Sequence, residues 1–211
     1  MNSGQWFAIG LSVFILLWFL VGAMINRRRG RMVYDWLVKG LSLFGKIEPL
    51  RRDKLLQAAA HLRVDNLTEP FRRMEVIYTL EPRENFPLWL YGRLSGRRDV
   101  FFLRADLKSA PVQDVEAGRK NDRAFATFLA GQLKEPYASQ TLPGRLEVAW
   151  RGKKDKEYLK RLSAFLEKYE AAILRFSLHR AAPHLTLKAE LPLLQSGEAT
   201  EFLQDLQEAL V

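Results

Sequence analysis

The sequence predicts an α+β protein: a single N-terminal transmembrane helix, then a mixed, mainly antiparallel sheet covered by amphipathic helices. Three observations predict it. Residues 1–26 contain no Asp, Glu, Lys or Arg. Later segments alternate apolar and polar residues between short turns, the period of a half-buried strand. Between and after them, apolar residues recur three and four apart, the period of a helix with one buried face.

The apolar stretch comes first. From Trp6 to Ile25 the chain reads WFAIGLSVFILLWFLVGAMI. At about 1.5 Å rise per residue, twenty helical residues cover about 30 Å, the hydrocarbon thickness of a bilayer. A soluble helix rarely stays apolar on every face for that long. Trp6 stands where an interfacial aromatic anchor belongs. A cleaved signal peptide would need a basic leader, and MNSGQ has none; VGA at 21–23 offers small residues for cleavage, but the run is too long. Acylation as a lipoprotein is excluded, because the chain has no cysteine.

Arg27, Arg28, Arg29 and Arg31 follow directly. Basic residues collect on the cytoplasmic flank of a span, where anionic headgroups and the membrane potential hold them. This predicts a single-pass protein of the cell membrane, N-terminus out, with residues 1–31 as anchor and basic stop-transfer flank. The overall charge of +9 follows the same distribution. Residues 26–54 hold nine basic and three acidic residues, whereas residues 55–211 hold 24 and 21. The excess hugs the membrane, so the expected partners are anionic headgroups and a protein, and no nucleic acid is expected.

Residues 32–50 read as a membrane-proximal amphipathic helix and linker. Val33, Trp36, Leu37, Leu41 and Phe44 share one helical face. That face suits a continuation of the first helix, a helix in the headgroup plane, or a helix packed on the domain. Residues 51–211 form the expected cytoplasmic α+β domain, with a subdivision near 140 conceivable. RRDKLLQAAAHLR (51–63) has helix formers throughout and predicts a helix. RMEVIYTL (73–80), LWLYGRL (88–94) and DVFFLRADL (99–107) predict an antiparallel meander turning at EPREN and SGRR. Residues 109–122 read as a polar loop, 122–133 as a helix capped by Asn121 or Asp122, and 135–144 as an irregular connection. RLEVAW (145–150) is the next strand, and 154–169 is the clearest soluble helix. Residues 172–180 and 184–191 form a hairpin across AAP, and 198–210 closes as a helix through Phe202, Leu203, Leu206 and Leu210. Each half thus mixes strands with a closing helix, which allows a duplication without a residue-level repeat to support it.

Chemistry is scarce. Without cysteine there is no disulfide, zinc-thiolate, iron–sulfur or thiol chemistry. His61 reads as an edge histidine. His179 and His184 flank the hairpin turn, where a metal site with Glu190 would need spacing the sequence lacks. No phosphate-loop, dinucleotide or nucleophile-elbow motif occurs. SGRR (95–98) reads as a solvated turn, and Trp89, Tyr91, Phe101 and Phe102 as core aromatics on adjacent strands, with the glycine–aromatic signature of an RNA-binding sheet missing. No catalytic residue, metal or cofactor is assigned. The expected function is a non-catalytic interaction or scaffolding domain at the membrane; the competing expectation is a membrane-bound enzyme built from dispersed Asp, Glu, Arg and Tyr.

Overall fold

The computed structural model describes residues 2–52, 58–65, 67–131, 136–152 and 155–211. One helix, α1, runs unbroken from Ser3 to Leu41 and passes the basic cluster without a kink. Asn2 caps it, accepting from the Gln5 N–H while the Gln5 side chain accepts from the Asn2 N–H. Its first part is apolar and long enough to cross a membrane by length and composition. Its second part is different: Gly22, Asn26, Gly30, Val33, Leu37, Gly40 and Leu41 form one buried stripe at helical spacing. Residues 32–44 are therefore not a separate helix on a surface; the helix continues and packs on the domain.

The domain is built on one nine-stranded sheet, antiparallel at every pairing among the described residues. In chain order the elements are β1 (Ile47–Arg52), β2 (Ala59–Asp65), β3 (Phe71–Thr79), α2 (Phe86–Leu94), β4 (Val100–Leu107), β5 (Asp114–Arg119), α3 (Arg123–Ala130), β6 (Ala138–Thr141), β7 (Leu146–Arg151), α4 (Lys156–Lys168), β8 (Ile173–Leu178), β9 (Leu185–Glu190), α5 (Leu191–Leu194) and α6 (Ala199–Leu210). Across the sheet the order is β1-β2-β3-β4-β9-β8-β5-β7-β6. The chain starts as a meander; β4 then joins β9, and β5 inserts between β8 and β7, so the sheet runs continuously across residue 140.

Register decides the two faces. Leu62, Val76, Leu103, Leu187, Phe176, Ala117 and Val148 lie opposite one another in successive strands, and all are buried. This face carries the core. The second half of α1, α6 and α4 cover it side by side. Phe202 of α6 sits at the centre, edge-on to Phe101 and Tyr169 and tilted against Phe165. A Cβ at Gly40 would stand 2.6 Å from the Ala199 Cβ, so glycine sets how closely α1 approaches α6. The opposite face is polar and, away from α3, uncovered by any described helix.

Several expectations need correction. Residues 51–52 end β1 and 59–63 lie in β2; 53–57, with the expected apolar positions Leu55 and Leu56, fall outside the described residues. The alternating burial of β2 shows why: pairing with β3 outweighs the helix propensity of an Ala-rich run. β1 also begins at Ile47, inside the segment read as a linker. Residues 88–94 are helical, not a strand; Asn85 accepts from the Leu88 N–H and Pro87 occupies the first turn. SGRR is a turn, as expected, but one that follows α2 rather than joining two strands, with Gly96 at positive φ, and Trp89 and Tyr91 stand on a helix. The supposed loop 109–122 contains β5, the most buried strand, and the supposed irregular connection contains β6. The expected helices at 122–133, 154–169 and 198–210 and the hairpin at 172–191 are present, with Leu133 outside the described residues.

Candidate functional site

Two polar clusters stand out, and each is built around a buried carboxylate. The first is where α1 meets the domain. Asn26 is fully buried on the docked stripe; its amide donates to the Glu81 carbonyl at 2.9 Å and the Glu84 carboxylate at 2.7 Å. Its carbonyl accepts from the Arg83 guanidinium at 3.0 Å. Arg83 also forks onto both oxygens of Asp99 at 3.0 Å, a planar match of guanidinium to carboxylate. The Glu81 N–H donates to the same carboxylate at 2.8 Å, and Arg29 of α1 reaches it at 2.9 Å. The Glu81 carboxylate in turn accepts from the Trp89 indole at 3.1 Å. Nearby, the Tyr78 hydroxyl donates to the Gly30 carbonyl. Buried charge is tolerable only when paired and hydrogen-bonded, and the Asp99 carboxylate meets both conditions.

The predicted flank therefore divides. Arg29 turns inward to Asp99, while Arg27, Arg28 and Arg31 stay exposed on the outer side of α1, with Met24 and Asp35 between them. Trp6 is exposed near the N-terminal end. Sequence reading missed Asn26, Glu81, Arg83 and Asp99. A lone amide after a long apolar run, and the charges in EPREN, were the available signals.

The second cluster lies on the opposite sheet face, where α3 covers it. Glu116 on β5 is 1% exposed and accepts from Arg175 at 2.6 Å, His179 at 3.0 Å and the Ser177 hydroxyl at 2.8 Å. Arg175 is sandwiched between the Phe125 and Phe128 rings of α3, 4.6 and 4.7 Å from their centroids. Asp114 pairs with Arg151 and accepts from the Arg180 N–H. Burial pushes the Asp114 carboxyl up, but those hydrogen bonds and the Arg151 charge outweigh it and hold it below the usual range. Farther along, Glu75 is shared by Arg63 and His61; burial again opposes, but the Arg63 hydrogen bond and charge, with a smaller contribution from His61, outweigh it, so its carboxyl also lies low. Glu190 pairs with Arg119. A hollow of about 280 Å³ opens on this face between Arg73, Glu75, Arg104, Asp106 and Pro183.

The histidines do not converge. His179 faces Glu116, and the Nδ1 of His184 instead accepts from the Leu107 N–H at 3.0 Å. Among the described residues no three metal-binding side chains share a site. The Ser177 hydroxyl donates to Glu116 rather than to an imidazole, so this trio lacks the hydroxyl-to-base hydrogen bond of an activated nucleophile. What the arrangement offers is a surface of alternating charge on one sheet, away from α3. No protein-family model matches the chain, and no curated protein is similar to it.

Proposed function

We propose that this chain is a single-pass cell-membrane protein whose domain is a non-catalytic scaffold, binding a partner protein through the uncovered face of its sheet. The observation that carries the reading is the continuity of α1. The apolar part and the part docked under the sheet belong to one 39-residue helix, with no flexible linker between them. A domain joined in this way has a fixed orientation to its anchor, and so does the charged face it presents. Arg73, Glu75, Arg104 and Asp106 line the hollow on that face, with Thr186 and Lys188 on the adjoining strand, a mixed-sign pattern that suits specific pairing with a complementary protein surface.

The basic flank and the positive-inside rule put the N-terminus outside and the domain in the cytoplasm. A reporter fused after Val211 tests this: alkaline phosphatase stays silent if the domain is cytoplasmic, and activity reverses the assignment. Binding is tested by cross-linking in intact membranes followed by mild solubilisation. A partner retained by the wild type and lost from Arg104→Glu/Lys188→Glu supports the sheet face. The same partner retained by that variant places binding elsewhere.

A further inference from the structure

α2 is an unusual element for the surface of a domain. Its nine residues, FPLWLYGRL, expose Leu88, Leu90, Tyr91 and Leu94, the last two at 63% and 80%. Its inner side turns two aromatic rings toward α1. Phe86 lies 4.6 Å from the Trp18 ring and 5.6 Å from Phe14, and Trp89 lies 5.4 Å from Trp18. The helix is therefore fastened to the apolar half of α1. From Phe86 to Arg98 the chain has three arginines and no acidic residue.

Depth makes the point sharper. The Trp18 indole donates to the Arg83 carbonyl at 2.8 Å, and Gly22 lies against that same backbone. Trp18 is nine residues before Arg27, about 14 Å along the helix. Polar backbone at Trp18 cannot lie in hydrocarbon, so the water boundary falls near Trp18 and not at the arginines. Ser3–Trp18 then spans only about 24 Å, less than a typical hydrocarbon core of about 30 Å. A short span is accommodated by local thinning and by flanking residues that reach into the boundary. The exposed side chains of α2 stand at that level, and an apolar groove of about 900 Å³ opens between Phe14, Ile15, Phe19, Phe86 and Pro87.

Resting on the membrane-anchor reading above, we infer that α2 is a second membrane contact. It lies in the headgroup–acyl boundary of the leaflet nearest the domain, with Leu88, Leu90 and Leu94 among the acyl chains and Arg97 and Arg98 toward anionic phosphates. In-plane helices of this kind combine an apolar face of Leu, Phe and Trp with basic residues. Continuity with α1 and the purely basic charge of the segment favour a lipid surface over a protein partner.

The chain has no cysteine, so single cysteines can be labelled cleanly. Leu94→Cys, Ile15→Cys and Glu208→Cys versions of the full chain would carry an environment-sensitive fluorophore in phosphatidylcholine vesicles with and without phosphatidylglycerol. Quenchers would sit on lipids near the headgroup or near the bilayer centre. Label at Leu94 should respond more to the shallow quencher, label at Ile15 more to the deep one, and label at Glu208 to neither. Shallow quenching at Leu94 should rise with phosphatidylglycerol in the parent and not in Arg97→Gln/Arg98→Gln. Ile15 quenched with Leu94 open to water overturns the inference and leaves the anchor intact. Leu94 shielded from water yet unquenched by lipid means that a protein covers α2, and overturns it too. Ile15 unquenched removes the anchor reading itself. Quenching at Leu94 that ignores phosphatidylglycerol overturns the role given to the two arginines.

Discussion

Asp99 and Glu116 are both carboxylates at 1% exposure, and each meets two cationic side chains. The likeness ends with the partners. Asp99 is held by Arg29 and Arg83, two guanidiniums that stay charged at any physiological pH, and Arg29 comes from α1. Glu116 is held by Arg175 and His179, both from β8 or the residue after it. The first cluster joins an anchor to a domain; the second joins neighbours in one sheet and borders solvent. The contrast separates a fixed structural joint from a surface whose charge can change.

The largest expected effect breaks the joint. Asp99→Ala leaves two guanidiniums and the Glu81 N–H without their shared acceptor. Removing one partner of a buried ion pair costs about 3–5 kcal/mol. Thermal unfolding of the solubilised full chain, followed by tryptophan fluorescence at Trp18 and Trp89, should show that loss. Glu116→Gln should cost less, about 1.5–3 kcal/mol for a charged hydrogen bond, because Arg175 keeps its stacking between Phe125 and Phe128. If Glu116→Gln proves the more damaging, the distinction drawn between the clusters is reversed. Gly22→Ala comes next. Its new Cβ meets the Arg83 backbone rather than a movable side chain, so the 81–89 segment must shift. We expect a loss of about 1–2 kcal/mol, in the lower part of the overpacking range, while Gly10→Ala, with open space around it, should leave stability unchanged.

The two clusters also differ in how far the sequence revealed them. Long one-sided periodicity made α4 and α6 legible, an unbroken apolar run did so for the first part of α1, and clean alternation did the same for β3, β4 and β9. In α4, α6 and these strands, burial follows the pattern of the residues themselves. β5 was hidden because DVEAGR carries its acids at strand positions facing Arg151, Arg175 and His179; side chains that look like loop polarity are satisfied across the sheet. α2 was hidden because LWLYGRL is apolar almost throughout, so it has neither period. Its real signals were Asn85 and Pro87, which set a helix start. The joint at Asp99 assembles residues 26, 29, 83 and 99, and no local spacing connects them. Only the docking of α1 does.

The smallest effect tests the titratable cluster. His179 faces Glu116 and Asp114 on β5 and Arg151 on β7. The Glu116 hydrogen bond is the main reason the imidazole holds its proton more tightly than usual; partial burial and Arg151 oppose it, and the two carboxylate charges reinforce it. The folded value therefore lies above the unfolded one, near 6.5. A group raised on folding contributes its full stability below the unfolded value and loses it as pH climbs through the folded value. The wild type should thus exceed His179→Gln in melting temperature at about pH 6, and the gap should close toward about pH 8 and above. Asp114 does not disturb this window, since its carboxyl is held low and stays ionised throughout. A flat His179 difference, or one that widens as pH rises, would show that the imidazole is not held as a cation against Glu116.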